Sequence, residues 1–381
     1  MSEPLAVRAA VWRAPGEPCS VEDVLLDPPG EGEVLIRIAA AGVCHSDLHL
    51  ADGHLGRRRF PTVLGHEGAG VVETTGPGVS DVAPGDRVSL CFPPSCGACR
   101  ACRSGRPNLC EPGSRASFAG TRPDGTARVR TMDGAPLQQF LGVGCFAERC
   151  VVPAAAAIPA PAELPLWQAA LVGCALVTGF GAVRNAARVA PGESVCVVGC
   201  GGVGLQVVLA ARLAGAAPIV AVDLVPEKLE LAQARGATHM VAAGEGAVEL
   251  VRELTGGGVD YAFEVVGRSE SIRLAWEILR PGGTAVVVGL APVGVEATVP
   301  AIDFLSEKTL RGSFYGSGDP AAEIAEIGRL AATGTLAIGE SVSSLTDLDG
   351  IEEAFARLRR GEGARSVAVL DGELAGIKFP R

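Results

Sequence analysis

The sequence predicts an α/β protein in which a mostly β domain precedes a domain built on a doubly wound parallel sheet. Over residues 1–175, short alternating runs such as 33–38 (EVLIRI) lie between Gly/Pro turns, which is typical of irregular β structure. From about residue 176 to residue 315, apolar strands alternate with helical stretches, which indicates a parallel sheet. A glycine-rich turn directly after the first of these strands supports the same fold class.

The elements of the second domain follow in β-α-β-α order. Predicted strands cover residues 194–198, 218–222, 261–265 and 284–288, and predicted helices cover 203–214 and 226–235. The apolar run at 169–183 is short for a bilayer span and is interrupted by Gly, so we expect a buried helix. In the tail, the pattern predicts a helix at 351–360 and a strand at 366–370.

Composition narrows the possible functions. The chain has 381 residues, enough for two or three domains, and 33 basic against 43 acidic residues give a net charge of −10. This charge disfavours nucleic acid as a partner. The first twelve residues lack the pattern of a secretory signal, and the twelve cysteines then favour metal ligation over disulfides. We expect a cytoplasmic protein that binds neither nucleic acid nor membrane.

A dinucleotide-binding turn is predicted at residues 194–204 (SVCVVGCGGVG). Here Gly199, Gly201 and Gly204 form G-x-G-x-x-G between a strand and an apolar helix, which allows close approach of a pyrophosphate to the helix N-terminus. The next strand ends at Asp223, nineteen residues after Gly204, where a carboxylate suits ribose hydroxyls. Leu224 offers no cation for a 2′-phosphate, so NAD is expected rather than NADP. A structural glycine turn with a capping Asp is the alternative.

Four cysteines of the first domain have the spacing of a metal site. Cys96, Cys99, Cys102 and Cys110 form C-x2-C-x2-C-x7-C, and four thiolates can surround one tetrahedral Zn²⁺. An iron–sulfur cluster is the rival interpretation, but the bacterial ferredoxin run has a shorter last gap followed by Pro, whereas Glu111 follows here. Because a four-thiolate site has no open coordination position, it would stabilise its loop rather than bind substrate.

Three further segments carry residues that could bind a second metal ion: 42–49 (GVCHSDLH), 65–70 (GHEGAG) and 173–179 (GCALVTG). Cys44, His66 and Cys174 would form a site of two thiolates and one imidazole, which leaves one coordination position open, as in catalytic zinc sites. Spacing alone does not join these residues. Cys174 could be a buried core cysteine, and His66 could be structural.

These motifs together resemble the zinc-dependent medium-chain alcohol dehydrogenase family. The resemblance covers nearly the whole chain and also rests on GCALVTGFGAV, VVGCGGVGLQ, AVD, FEVVGR and GARSV. It implies a GroES-like, mostly β catalytic domain (1–177), a Rossmann NAD-binding domain (178–315) and a return segment (316–381) that completes the catalytic domain. It further implies two Zn²⁺ per chain, one catalytic at Cys44, His66 and Cys174 and one structural at Cys96, Cys99, Cys102 and Cys110.

The resemblance also implies roles for residues around the catalytic zinc. Glu67 resembles the acid that affects ligand exchange at the zinc, and Asp47 resembles the carboxylate that orients the His66 ring. Ser46 resembles the hydroxyl that hydrogen-bonds the substrate alcohol. His49 resembles the outer end of a proton relay, where an imidazole accepts a proton near neutrality. Asp47 could instead be a cap residue, and His49 a surface histidine.

Cofactor and substrate contacts follow from the same resemblance. His45 and Arg365 resemble pyrophosphate-binding positions, and Thr178 and Val203 resemble positions on the nicotinamide side. The other implied cofactor-binding residues are the glycine turn (Gly199, Gly201, Gly202, Gly204) and the adenosine-ribose contacts Asp223 and Lys228. Phe92, Phe140 and Leu141 resemble pocket-lining positions, although each could be plain core packing.

The activity implied is hydride transfer between a primary (or secondary) alcohol and NAD, which gives an aldehyde or ketone. The apolar pocket positions favour hydrophobic primary alcohols. The long insertion at 113–140 resembles the typically dimeric members and also the thiol-adduct (S-hydroxymethyl) formaldehyde dehydrogenases, although that subfamily commonly has Thr at Ser46. A non-catalytic NAD-binding sensor is the alternative from another class, but it would be expected to lose Ser46, His49 or a zinc ligand. We expect a homodimer, with a tetramer as the alternative.

Overall fold

The structure is a computed structural model that describes residues 3–56 and 61–377. The described chain divides into two compact units, the first running up to Cys174 and resuming at Asp319, and the second comprising Ala175–Gly318. Both boundaries lie three residues from the expected positions, 177 and 315. A continuous helix, Leu166–Ala187, crosses the first boundary, so no turn in the sequence marks the change of unit.

Strands of the first unit form a closed barrel and a seven-stranded sheet. They are β1 (Leu5–Trp12), β2 (Ser20–Leu26), β3 (Glu33–Val43), β4 (Thr62–Val63), β5 (Gly68–Thr75), β6 (Arg87–Leu90), β7 (Val129–Thr131), β8 (Pro136–Gln139), β9 (Arg149–Pro153) and β10 (Ala157–Pro159). The barrel order is β1-β2-β7-β8-β4. Alternating residues such as Val7, Val11 and Val24 fill its core. The alternating run at 33–38 lies in β3 of the other sheet, where Val34, Ile36 and Ile38 are buried while Leu35 and Arg37 are partly exposed.

Six parallel strands build the sheet of the second unit. They are β11 (Val195–Val198), β12 (Ile219–Asp223), β13 (His239–Ala242), β14 (Val259–Glu264), β15 (Leu279–Val287) and β16 (Thr309–Gly312), in the order β13-β12-β11-β14-β15-β16. Strand β11 is central, and its Cys196 and Val198 pack in a core with Trp276. The sequence pattern did not predict β13 and β16. The parallel sheet confirms the doubly wound fold class.

The tail returns to the first unit. It contributes β17 (Ser344–Thr346) and β18 (Ser366–Val369), which extend the seven-stranded sheet in the order β10-β6-β5-β3-β18-β17, with β9 also paired to β3. Strand β18 runs antiparallel to β3, with Ser366 opposite Val43. This register brings residues near 365 close to the end of β3.

The helices follow the same division. The first unit has α1 (His45–Ala51), α2 (Arg100–Arg103), α3 (Glu111–Ala119) and α4 (Leu166–Leu171); the second has α5 (Val177–Gly181), α6 (Gly204–Leu213), α7 (Pro226–Arg235), α8 (Ala247–Leu254) and α9 (Ser269–Glu277); and the tail has α10 (Pro320–Ala332), α11 (Ile351–Arg359) and α12 (Gly372–Ala375).

Of the described helices, Leu166–Ala187 is long and apolar enough to cross a membrane, but 78% of its most apolar window is buried in the structure. It is the buried helix predicted at 169–183.

Candidate metal centres and active site

Cys44, His66 and Cys174 come together from three separate segments of the first unit. Cys44 lies between β3 and α1, His66 precedes β5, and Cys174 lies in a π-helical turn, Val172–Leu176. All three are buried, and their ligand atoms lie within 4.8 Å of one another, with His66 Nε2 3.4 Å from Cys174 Sγ. Two thiolates and one imidazole are donors that Zn²⁺ prefers, and three protein ligands leave one position open. The residues present therefore fit a catalytic zinc.

Two glycines hold the ligand segments in place. Gly65 has a φ of +91°, and a Cβ there would lie 2.5 Å from the Phe146 backbone nitrogen. A Cβ on Gly173 would lie 2.1 Å from the Leu90 carbonyl oxygen. Because a side chain fits neither position, glycine is required immediately before His66 and Cys174.

Asp47 holds the His66 ring. The carboxylate is fully buried, with Oδ2 3.1 Å from His66 Nδ1 and Oδ1 accepting a hydrogen bond of 2.8 Å from the Gly65 backbone nitrogen. Burial raises the pKa of Asp47, and the neighbouring His66 opposes that rise. With Nδ1 turned to Asp47, the opposite nitrogen of the ring, Nε2, points to the cysteines. Such a partner fixes the tautomer and the orientation of a metal-binding histidine.

The protonation of the two thiols differs. A hydrogen bond from Cys174 and the nearby His66 lower the pKa of Cys44 well below its ordinary value, against the effect of burial. The hydrogen bond to Cys44 and burial raise the pKa of Cys174. Burial alone would lower the pKa of His66, but Asp47 and Cys44 raise it well above its ordinary value. Because metal ligation needs both thiolates, zinc binding would displace the Cys174 proton.

Glu67 forms a buried ion pair with Arg365, a contact across 298 positions that sequence reasoning missed. Arg365 is 5% exposed, and it also donates a hydrogen bond of 3.5 Å to the Val43 carbonyl. Gly42 leaves room for the carboxylate, since a Cβ there would lie 2.4 Å from Glu67 Oε2. The guanidinium thus faces Glu67 in this structure, and contact of Arg365 with a pyrophosphate stays a prediction.

The residues after Cys44 lead outward along α1. Ser46 Oγ lies 3.7 Å from Cys44 Sγ, and His45 is exposed. His49 is half-buried, and its Nδ1 lies 3.2 Å from Nδ1 of His54, a residue that the sequence analysis did not single out. The sequence does show a second histidine five positions after His49. A spacing of five residues does not place two side chains on the same face of a helix, however, so it does not predict their contact.

Phe92 and Phe140 pack directly on the His66 ring. Their ring centroids lie 5.3 Å and 5.5 Å from that of His66, and both rings stand nearly perpendicular to it. Leu141 is also buried and has a φ of +52°, in the left-handed region that non-glycine residues rarely adopt. Phe92 and Phe140 thus form apolar walls beside the ligand set, while a pocket role for Leu141 stays a prediction.

The four cysteines of residues 96–110 form a second cluster. Their sulfur atoms lie within 4.8 Å of one another, with Cys99 and Cys102 3.5 Å apart. Backbone nitrogens point at the sulfurs, as Cys96 N does at 3.2 Å from Cys110 Sγ, and a hydrogen bond from the Cys102 backbone leads the effects that lower the pKa of Cys99 to about 6. The set is closed and lies partly at the surface. It therefore fits a structural zinc.

The glycine turn of the second unit lies between β11 and α6, as predicted. Gly199 has a φ of +96°, and a Cβ on Gly204 would lie 1.9 Å from the Gly199 carbonyl oxygen. Space beside Gly201 is open. At the end of β12, Asp223 accepts hydrogen bonds of 2.7 Å and 2.9 Å from the backbone nitrogens of Cys200 and Val225. The open turn at a helix N-terminus fits the pyrophosphate of a dinucleotide.

The remaining predicted cofactor positions also lie in the second unit. Thr178 is on α5, Val203 immediately precedes α6, and Lys228 is on α7. All three are partly exposed, as is Gly202 in the turn. Their accessibility agrees with a ligand-binding role, and their individual contacts with a cofactor stay predictions.

Comparison with known proteins agrees with this arrangement. The family model for the alcohol dehydrogenase GroES-like domain matches residues 30–162, and that for the zinc-binding dehydrogenase matches residues 202–333. A putative alcohol dehydrogenase D of Mycobacterium tuberculosis is 41% identical over 366 residues, covering 95% of this chain and 99% of that protein. An NDMA-dependent alcohol dehydrogenase of Amycolatopsis methanolica is 40% identical over 368 residues, with 95% and 98% covered. An S-(hydroxymethyl)glutathione dehydrogenase of Paracoccus denitrificans is 34% identical, with 96% and 100% covered.

Solved structures give the same result. An alcohol dehydrogenase zinc-binding domain protein from Burkholderia ambifaria superposes with a TM-score of 0.92 at 37% identity, covering 97% of this chain and 100% of its own. Benzyl alcohol dehydrogenase from Acinetobacter calcoaceticus has a TM-score of 0.90 at 31% identity, with 96% and 99% covered. With both cysteine-containing ligand sets in place, the chain belongs to the zinc-dependent medium-chain alcohol dehydrogenase family and is an oxidoreductase of alcohols and aldehydes that uses zinc and a nicotinamide cofactor.

Proposed function

We propose that the protein uses NAD to oxidise hydrophobic primary or secondary alcohols to aldehydes or ketones, and that it also catalyses the reverse reductions. The buried set Cys44, His66 and Cys174, whose ligand atoms converge within 4.8 Å, is the observation that carries this proposal; three protein ligands would leave one position of a tetrahedral zinc for the substrate. Phe92 and Phe140 stand beside it and favour an apolar group next to the reacting carbon. The benzyl alcohol dehydrogenase among the solved relatives supports aromatic alcohols as substrates.

The proposed mechanism assigns a task to each residue near the ligand set. When bound, zinc supplies a Lewis acid and the nicotinamide cofactor supplies the hydride acceptor. Asp47 keeps the His66 ring oriented, and the aromatic walls exclude water. The Ser46 hydroxyl hydrogen-bonds the alcohol and passes its proton toward His49. Glu67, held by Arg365, keeps a carboxylate beside the ligands that can affect ligand exchange.

The preference for NAD rests on the end of β12. The Asp223 carboxylate would repel a 2′-phosphate, and the next residue, Leu224, is 76% exposed and carries no charge. Lys228 is the cation nearest in sequence, and we propose that it contacts the adenosine ribose together with Asp223. We propose His45 and Arg365 as the cations that meet the pyrophosphate.

We further propose a cytoplasmic homodimer. All twelve cysteines are free thiols, and six of them form the two ligand sets, which agrees with a reducing compartment. Strand β16 ends the sheet of the second unit, and all four of its residues are exposed. Ile302, Phe304 and Leu305 just before it are exposed as well. An exposed edge strand beside an apolar patch favours pairing with a second copy of the chain.

A thiol-adduct formaldehyde dehydrogenase is the second candidate function. The Paracoccus denitrificans relative named for S-(hydroxymethyl)glutathione covers nearly the full chain at 34% identity. The S-hydroxymethyl adduct of a thiol is itself a primary alcohol, so the same ligand set would serve both reactions. Formaldehyde assayed with and without glutathione separates the two functions.

The test is formation of reduced cofactor by purified, zinc-replete protein. Aliphatic alcohols, benzyl alcohol, and formaldehyde with or without glutathione are each supplied with NAD or NADP, with and without a chelator. Because one relative is named NDMA-dependent, NDMA is included as an alternative acceptor. We expect benzyl and medium-chain alcohols with NAD to give the highest kcat/KM, and the chelator to abolish the rate. Turnover of only the glutathione adduct would favour the second function, and equal rates with NADP would refute the cofactor preference.

A further inference from the structure

Two histidines of the first unit form a direct pair at the outer end of α1. The Nδ1 atoms of His49 and His54 lie 3.2 Å apart, with ring centroids 5.4 Å apart. The His54 backbone nitrogen donates a hydrogen bond of 2.8 Å to the His49 carbonyl, which fixes the turn that carries His54. His49 is half-buried and His54 is exposed. The pair therefore leads from the interior of the unit to solvent.

We propose that His54 extends the proton relay of His49 to bulk water, with the two imidazoles sharing one proton through an N–H···N hydrogen bond. This inference rests on the proposed function, because that function supplies the proton. A neutral imidazole has one donor and one acceptor nitrogen, and at 3.2 Å only one of the two Nδ1 atoms carries the proton. His54 acts through His49 and is not itself a catalytic residue.

The transfer is balanced for each alcohol oxidised. His49 accepts one proton on Nε2 and releases its Nδ1 proton to Nδ1 of His54. His54 then releases a proton from its own Nε2 to water. One proton enters, one leaves, and both rings end neutral, so no other reactant is needed. The starting tautomers return when each ring turns over, or exchanges its own N–H with water, while the hydrogen bond between the two Nδ1 atoms is broken. The reverse sequence delivers a proton during carbonyl reduction.

Burial, aided by nearby positive charge, keeps His49 in its proton-accepting form. Burial lowers the pKa of His49, and positive charge on His45 and on His54 lowers it further, whereas Cys44 and Asp52 oppose this. Asp52 is paired with Arg359 at 2.8 Å, and Arg359 is also 3.2 Å from Glu352. Because the pKa of His49 is lowered, its neutral form persists to a lower pH than that of a free imidazole. The rate of alcohol oxidation should therefore decline only at pH values below the ordinary pKa of a free imidazole.

NMR titration of the cofactor-free full chain tests the pair without turnover. The sequence has five histidines, so the ring signals can be assigned with single His→Gln variants. Rings that share a proton titrate as a unit, and both should show the same two inflections. His54→Gln should leave His49 with one inflection. A single, independent inflection for each ring in the wild-type protein would overturn the proposal.

Kinetics test whether the pair serves proton release. Below neutral pH, His54→Gln should slow alcohol oxidation about 3- to 10-fold, less than the roughly 10²- to 10⁴-fold contributed by a direct acid–base group, and added imidazole should restore the rate. In the His49→Gln background the same change should cost less than about twofold, because the path is already broken. His239→Gln, in the second unit, is the matched control and should leave the rate unchanged.

The outcomes separate the two proposals. The relay would be overturned if His54→Gln lowered the rate of alcohol oxidation equally in the wild-type and His49→Gln backgrounds. It would also be overturned if added imidazole did not restore the rate. Failure of the wild-type protein to oxidise any alcohol would refute the proposed function, while the NMR titration would still report on the shared proton.

Discussion

At the scale of residues, the two carboxylates beside the proposed zinc ligands are each paired with another buried side chain. Asp47 faces Nδ1 of His66, and Arg365 faces Glu67. A carboxylate at 0% exposure is costly to bury unless it is paired, so these contacts also stabilise the site against rearrangement. Removing one partner of either pair should therefore disturb metal binding and also lower stability, because it leaves a buried charge unpaired.

Cys174→Ser should abolish turnover and lower the zinc content from two ions per chain to one. Loss of an electrostatic stabiliser costs about 10²- to 10³-fold in kcat, and loss of the metal should cost at least that much. Metal analysis and kcat measured on the same sample check the prediction. Cys150→Ser, at a buried thiol outside both ligand sets, is the control and should retain both ions. A Cys174→Ser variant that kept most of its rate would refute the ligand assignment.

Cofactor preference should change with two residues of the second unit. Asp223→Ser combined with Leu224→Arg removes the repulsive carboxylate and adds a cation for a 2′-phosphate, because a phosphate is best bound by arginine. The ratio of kcat/KM for NADP to that for NAD should rise about 10²-fold, which corresponds to roughly 2.7 kcal/mol. Leu224→Arg alone should change the ratio much less, since Asp223 remains. An unchanged ratio in the double variant would place the ribose elsewhere.

At the scale of elements, close packing at a few turns positions the groups that carry function. The turn between β11 and α6 brings the Gly199 carbonyl against Gly204 with no room for a side chain. The register of β18 on β3, with Ser366 opposite Val43, brings Arg365 to Glu67. The backbones approach each other closely at these positions. Substitutions that add side-chain volume there should therefore lower the free energy of unfolding.

Gly204→Ala should destabilise the second unit, whereas Gly201→Ala should not. A Cβ on Gly204 would lie 1.9 Å from the Gly199 carbonyl oxygen, while nothing lies within 4 Å of a Cβ on Gly201. Such overpacking costs about 1–3 kcal/mol. Chemical denaturation of both variants measures the free energy of unfolding. Equal losses in the two variants would show that the turn does not depend on the contact between Gly199 and Gly204.

At the scale of the whole molecule, edge strands determine how copies can associate. Both β16 in the second unit and β17 in the first end their sheets. Leu305, shortly before β16, is the most exposed large apolar side chain within residues 3–56 and 61–377. The apolar patch accompanies β16, which is why we assign the dimer contact to that edge.

Leu310→Lys should weaken the dimer at least about tenfold, because a lysine on an edge strand opposes pairing with a second copy. Sedimentation over a range of protein concentrations measures the dissociation constant. The wild-type melting temperature should also rise with protein concentration, as linkage to dimer formation requires. Leu345→Lys, at a similarly exposed position of β17, is the matched control. If Leu345→Lys dissociates the dimer and Leu310→Lys does not, the proposed interface is wrong.

By itself the sequence determined the features that local pattern encodes. The alternating runs predicted a mostly β first domain, and the run at 33–38 lies within β3, although the barrel itself was not predicted. The β-α-β alternation predicted β11, α6, β12 and α7 nearly to the residue. The glycine turn and the four-cysteine cluster could be predicted because the residues of each lie close together in the sequence. Periodicity and short loops suffice for such features, since neighbours in sequence are neighbours in space.

Only the tertiary structure decided which distant residues meet. His66 and Cys174 are 108 positions apart, and Glu67 and Arg365 are 298 apart, so no local spacing could join them without a known family pattern. The register of β18 on β3 and the packing of Gly173 against Leu90 bring these residues together. The ring contact between His49 and His54 depends likewise on a turn that spacing does not specify. Contacts of this kind are set by how sheets and helices pack, and packing depends on the whole chain.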